Sequence, residues 1–192
     1  MADFEIAYKA TIRVERGYAN NPNDTGGETY GGVSRNNWPQ WSGWKIIDEL
    51  KGKPGFGAAL QANKDLQAAM RGFYQVNFWD VLRLNQVQDQ PIANELFDLA
   101  VNCSSKIAAL FLQRSLNVLN KQGKFYPDIV VDGVVGAGTL NALAKANQKD
   151  VLKCIVALQG ARYIGIAENR ASQEEFMAGW IRRAFGQFSL TA

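Results

Sequence analysis

Two carboxylates and a hydroxyl near the start of the chain are spaced as if to share one cleft. Glu15, Asp24 and Thr29 lie in the run Glu15-Arg16-Gly17-Tyr18, then Asn23-Asp24-Thr25-Gly26-Gly27-Glu28-Thr29-Tyr30-Gly31-Gly32. A carboxyl that keeps its proton can serve as a general acid. A second, ionised one can stabilise positive charge or position water, and a hydroxyl can help hold that water. The chain has no histidine. That removes Ser-His-Asp and Cys-His catalysis and argues against a zinc hydrolase, so no metal and no cofactor is expected.

The elements around these residues have to position them. Phe4, Ala7, Tyr8, Thr11, Ile12 and Glu15 follow helical spacing over residues 3–16, with Asp3 as N-cap and Gly17 as C′. Glu15 then falls on the core side of the last turn. Desolvation and the negative helix end would both raise its pKa there. The alternative is a solvent-exposed Glu15, or one paired with Arg13 or Arg16. Tyr18 to Val33 is rich in turn residues around a short β-like run, Glu28-Thr29-Tyr30. This predicts a small hairpin or three-stranded flap that folds back over the helix end. Asp24 could equally do no more than cap its own turn.

The pattern Glu-x-Gly-Tyr, followed by Asn-Asp-x-Gly-Gly-x-Thr and Gly-Val-Ser, resembles the N-terminal signature of the glycoside hydrolase family 108 peptidoglycan muramidases. These include lysozyme-like endolysins and secretion activator proteins. The family's usual Glu-Gly-Gly-Tyr has Arg16 here in place of its first glycine. The resemblance implies that Glu15 is the essential acid and that Asp24 and Thr29 support it. It also implies a mainly α, lysozyme-like, two-lobed helical fold with a small β-hairpin flap after the first helix. Tyr18, Gly27, Tyr30, Trp38 and Asn102 are the expected substrate contacts.

Further along, Trp38, Trp41 and Trp44 lie in a segment, residues 36–56, whose prolines and glycines predict irregular structure with short helical turns. The tryptophans could stack on sugar rings or anchor the loop to the core. Helices are predicted over 63–82, 90–103, 105–121, 149–168 and 173–187. Ser172 and Glu175 form a capping-box pattern before the last of these. Leu112-Gln113-Arg114, then Asp132-Gly133 and Thr139-Leu140, resemble predicted peptidoglycan-binding helical modules; by composition alone they are a tight turn and a capped helix. The expected organisation is a catalytic lobe over 1–100 and a helical lobe over 101–192, packed as one compact unit. Cys103 and Cys154 lie among apolar neighbours, as buried free thiols do.

The net charge is +3, with 47% apolar and 20% charged residues. That suits a folded globule with mild attraction to an anionic polymer. With the resemblance, the expected partner is the glycan strand of bacterial peptidoglycan, with no nucleic acid, no membrane insertion and a monomeric state. No signal peptide is legible. The expected route is synthesis in the bacterial cytoplasm and action in the periplasm or at the wall after non-classical or holin-type export. The expected activity is N-acetylmuramidase; the alternatives are a lytic transglycosylase and a non-catalytic wall-binding or secretion-regulating protein.

Overall fold

The computed structural model describes residues 1–12, 17–20 and 27–186. It is mainly α-helical with one small antiparallel sheet, in the lysozyme-like order of a first helix, a flap and then helices. Two compact units divide the chain. One comprises residues 3–81; the other comprises residues 1–2 and 82 onward.

In the first unit, α1 spans Phe4–Thr11, and the Asp3 side chain caps it by accepting from the Glu5 amide at 2.7 Å. The helix is shorter than its apolar pattern. Ile12 closes it at φ −93°, ψ 89°, outside the helical region. Thr11 and Ile12 are β-branched and weaken helix propagation. Residues 13–16, over which the helix was expected to continue, lie outside the described residues.

The flap forms as expected. Strands β1 (Tyr18–Asn20), β2 (Glu28–Tyr30) and β3 (Val33–Ser34) make a sheet in the order β1-β2-β3, antiparallel throughout. Thr29 pairs with Ala19 on one side and Ser34 on the other. The β2–β3 link is the pair Gly31-Gly32, at φ 56° and 89°. Positive φ at both central residues is what a tight hairpin demands, and only glycine meets it without strain.

The segment 36–56, expected to be irregular with short helical turns, holds α2 (Gly43–Leu50), and α3 (Phe56–Ala62) begins at its end. Ile47 and Trp44 are buried and hold α2 in place against the propensity of its flanks. Next comes α4 (Lys64–Tyr74), capped by Asn63, whose Oδ1 accepts from the Leu66 amide at 2.9 Å. The helix then widens into a π turn, Gln75–Trp79, in which the Asp80 amide donates to Gln75 O at 2.9 Å. Aromatic rings knit this unit: Phe4 meets Tyr8 and Trp79, and Tyr74 meets Tyr8, Phe73 and Phe78, all at centroid separations of 5.3–5.9 Å.

The second unit contains α5 (Gln90–Asn102), α6 (Ser105–Leu119), α7 (Ala137–Lys145), α8 (Gln148–Asn169) and α9 (Glu174–Phe185). Pro91 lies in the first turn of α5, and Ser104 caps α6. Val156, Tyr163 and Ala184 form a buried cluster with Cys103, Met177, Trp180 and Phe185 packed on it. Both cysteines are free and half-buried. One expectation about α9 does not hold: Ser172 lies in a 3-10 turn and makes no cap. The turn of 3-10 helix shifts the start of α9 to Glu174, past the position from which the serine could cap it.

Candidate functional site

The central strand of the flap sorts the candidate residues onto two faces. Side chains alternate along a strand, so Glu28 and Tyr30 share one face and Thr29 takes the other. The Glu28–Tyr30 face is the inner one. Tyr30 is 4% exposed; its hydroxyl donates to Leu60 O at 3.3 Å and accepts from Gln67 Nε2 at 2.9 Å. Its ring stacks on Trp41 at 6.5 Å. Tyr30 therefore meets the core rather than the surface.

Glu28, which the sequence reading passed over, is the other inward group, with a side chain only 9% exposed. Its carboxylate lies 2.7 Å from Arg35 Nε and 2.7 Å from Lys51 Nζ. Both cations also reach Asp48: Arg35 holds it by two guanidinium nitrogens at 2.7 and 3.0 Å, and Lys51 lies at 3.0 Å. The Arg35 guanidinium packs over the Trp44 ring at 4.5 Å, and its backbone amide donates to Glu28 O at 2.8 Å. Two carboxylates thus face two cations, so a nearly buried charge is compensated. The electrostatics follow. Arg35 first and Lys51 second hold the Asp48 carboxyl below its usual range. Burial and then the Glu28 carboxylate push the Tyr18 phenol up. Tyr18 packs its ring edge-on against Phe56 at 4.9 Å.

Thr29 occupies the outer face and is half-buried. Among the described residues its hydroxyl donates only to Gly27 O, at 3.3 Å, which leaves the oxygen able to accept. Gly27 has φ 63°, and a Cβ there would meet Asn36 Nδ2 at 2.8 Å. A side chain at position 27 would have to displace the Asn36 amide and sit at a strained φ. The Gly31 carbonyl accepts from the Tyr74 hydroxyl at 2.8 Å, which ties the hairpin turn to α4. Glu15 and Asp24, the expected acid and its carboxylate partner, lie outside the described residues.

The remaining expected contacts are dispersed. Trp38 is 40% exposed and packs edge-on against Phe73 at 4.8 Å. Trp44 is the opposite case: 3% exposed, with its indole N–H donating to Trp38 O at 2.8 Å. The tryptophan cluster therefore divides into an anchor and a surface ring. Asn102 belongs to the second unit. Its amide donates to Asp98 O at 2.6 Å, one turn earlier on α5, while the Asp98 carboxylate takes Arg183 in a forked pair at 2.7–3.2 Å.

Among the described residues no group of three or more His, Cys, Asp or Glu could hold a metal ion. None of the described helices is long and apolar enough to cross a membrane.

In the second unit, the Asp132-Gly133 motif has a clear structural task. Gln113 on α6 is 1% exposed. Its Nε2 donates to Asp132 Oδ1 at 2.8 Å and to Val134 O at 3.0 Å, and its Oε1 accepts from the Gly133 amide at 2.9 Å. One turn on, Asn117 exchanges two bonds with Ile129, donating to its carbonyl at 2.8 Å and accepting from its amide at 2.9 Å. Asn120 then reaches Asp128 at 2.5 Å and the Gly123 amide at 3.1 Å. Three amides along one side of α6 substitute for a neighbouring strand and fasten the loop from residue 123 to residue 134.

Comparison with known proteins finds matches in both halves of the chain. The family described as Glycosyl hydrolase 108 matches residues 8–103, and the one described as Predicted Peptidoglycan domain matches residues 107–185. No curated protein matches significantly. The solved structure of Brucella abortus SagA is similar over 98% of this chain and 97% of its own, with 20% identity and a TM-score of 0.58, a likeness of fold.

Proposed function

The chain belongs to the glycosyl hydrolase 108 family and carries a predicted peptidoglycan domain after it, and on that premise we propose that it is an N-acetylmuramidase. It would cleave the β-1,4 bond between N-acetylmuramic acid and N-acetylglucosamine in the bacterial wall. Glu15 would protonate the leaving glycosidic oxygen. Asp24 would stabilise the oxocarbenium-like transition state or take a proton from water, and Thr29 would hold that water.

The observation that supports this reading best is the sorting of the flap. Glu15 precedes β1 in the chain, Asp24 lies in the β1–β2 connection, and Thr29 is on the outer face of the strand that follows. An accepting hydroxyl on that face, with the charged Glu28 cluster turned the other way, suits a site whose ionised groups are few and chosen. Gly27 lies just before this strand, while Tyr18, cross-strand from Tyr30, is on the opposite face beside Glu28. Tyr30 would serve by holding β2 from behind. Asn102, engaged with Asp98 O, has no part in the proposal. The enzyme would act as a monomer on wall glycan outside the cytoplasm, after export by a non-classical or holin-type route.

The test is clearing of purified sacculi by the wild type and by Glu15→Gln. The variant should keep its circular dichroism and lose about a hundredfold or more in rate, the scale of a missing general acid. Retained clearing would end the assignment. The products should carry reducing ends; 1,6-anhydro ends would instead mark a transglycosylase.

A further inference from the structure

A groove on the first unit stands apart from Thr29 and the sheet. Its floor is the loop of residues 37–42, its wall is α4 with the π turn, and its volume is about 700 Å³. That lies within the range of small-ligand pockets. Three features single it out.

The first is Trp38, a large ring left 40% exposed. Phe73 holds it edge-on at an interplanar angle of 86°, so it is fixed in direction and leaves a face open. The second is charge. In a chain with 39 charged residues among 192, none lines this groove. On the other side of the same loop, the neighbouring cleft is lined by Arg35, Lys45, Asp48 and Glu49. The polar groups present are neutral. Asn37, Gln40 and Ser42 are exposed, and their side chains donate no hydrogen bond among the described residues. The third is the π turn itself. π turns are rare and frequently lie at functional sites. This one keeps Trp79 buried while placing Val76, 62% exposed, and Asn77 on the groove.

We propose that this groove is an accessory subsite for an N-acetylated hexosamine ring of a glycan strand, with the sugar's apolar face on Trp38. A neutral ring with hydroxyls and an acetamido group matches an aromatic platform rimmed by amides, and Val76 offers the acetyl methyl an apolar contact. A peptide stem bearing carboxylates would meet no cation here. The identification of the glycan with wall glycan rests on the muramidase reading; binding of the ring does not.

The probe is N,N′-diacetylchitobiose, titrated by tryptophan fluorescence and heteronuclear NMR into full-length Glu15→Gln protein, which removes turnover from the measurement. The expected result is saturable binding with shifts at Trp38, weakened about tenfold by Trp38→Ala and about threefold or less by Trp38→Phe. Val76→Glu, at a position with no core role, should also weaken it, and it guards against a folding defect in Trp38→Ala. Affinity unchanged in Trp38→Ala and Val76→Glu would overturn the subsite. So would equal binding of cellobiose, which lacks acetamido groups, or preferential binding of an acidic peptide. A Trp38-dependent self-association seen by light scattering, without sugar binding, would overturn it too. The muramidase reading fails separately, through wall clearing that survives Glu15→Gln.

Discussion

The flap of the first unit and the clasped loop of the second solve the same problem with different chemistry. Each is a glycine-bearing, non-helical stretch that must be held against helices. The flap is held by charge: Glu28 between Arg35 and Lys51, with Asp48 behind. The second loop is held by neutral amides, Gln113, Asn117 and Asn120, at successive turns of α6. A charged brace answers to pH and salt, whereas an amide ladder does so only where it meets Asp128 and Asp132. The flap sits where the proposed chemistry would occur, and the loop carries the motif shared with peptidoglycan modules. The Asp-Gly motif is thus a fastening in this chain, with its polar atoms turned toward α6.

Substitutions can break either brace. The largest effect is expected for Gln113→Ala. It strands the Gly133 amide and the Val134 carbonyl beside a buried gap, and should cost about 3 kcal/mol in chemical denaturation. A cost below about 1 kcal/mol would show that water replaces the amide and that the ladder is dispensable. Glu28→Gln should follow, at about 2 kcal/mol, because two half-exposed cations lose their shared carboxylate. It should also reduce wall clearing, since the strand bearing Thr29 loses its backing; a stable, fully active variant would separate the brace from the site. Gly31→Ala should cost about 1–2 kcal/mol through positive φ and the nearby Met70 sulfur. The smallest change is expected for Asp48→Asn, about 0.5 kcal/mol, measured as the difference from wild type at neutral pH.

Acid sharpens the contrast further. Arg35 and Lys51 depress the folded pKa of Asp48. Its contribution is therefore complete above the ordinary carboxylate range and disappears as pH falls through the lowered value. Asp132 behaves alike, its pKa lowered by Gln113 and then by the Val134 amide. Hydrogen exchange at falling pH should show the flap amides opening before the Ile129 amide, whose bond to Asn117 involves no titrating group. Simultaneous opening would remove the distinction.

Periodicity made much of this architecture legible. The helices expected over 90–103, 105–121 and 149–168 and the glycine-bearing hairpin follow from local rules that tertiary packing leaves intact. Three features were not legible, each for a physical reason. The apolar stripe of α1 runs on past Thr11, but a stripe records which side faces the core and not where the backbone departs from helix. Glu28 looked like one residue of a β-like run; its importance comes from Arg35, Lys51 and Asp48, which only the fold brings near. Helix α2 lies between flanks full of proline and glycine, where burial of Trp44 and Ile47 outweighs propensity. The proposed site is written in residue types and order alone. The distance between its two carboxyls is a property of three dimensions that spacing along a chain does not encode.

The contact between Met70 and the hairpin turn has one more consequence. Its thioether lies against Gly31 at the spot a side chain would otherwise fill, on the same helix whose Tyr74 holds the turn's carbonyl. An oxygen added to that sulfur would need room the turn does not leave, and would make an apolar prop polar. Peroxide should therefore loosen the flap much as a substitution at Gly31 does, and a sulfoxide reductase should restore it. A protein built this way would carry its oxidative weak point behind the flap rather than among the residues proposed to touch the sugar.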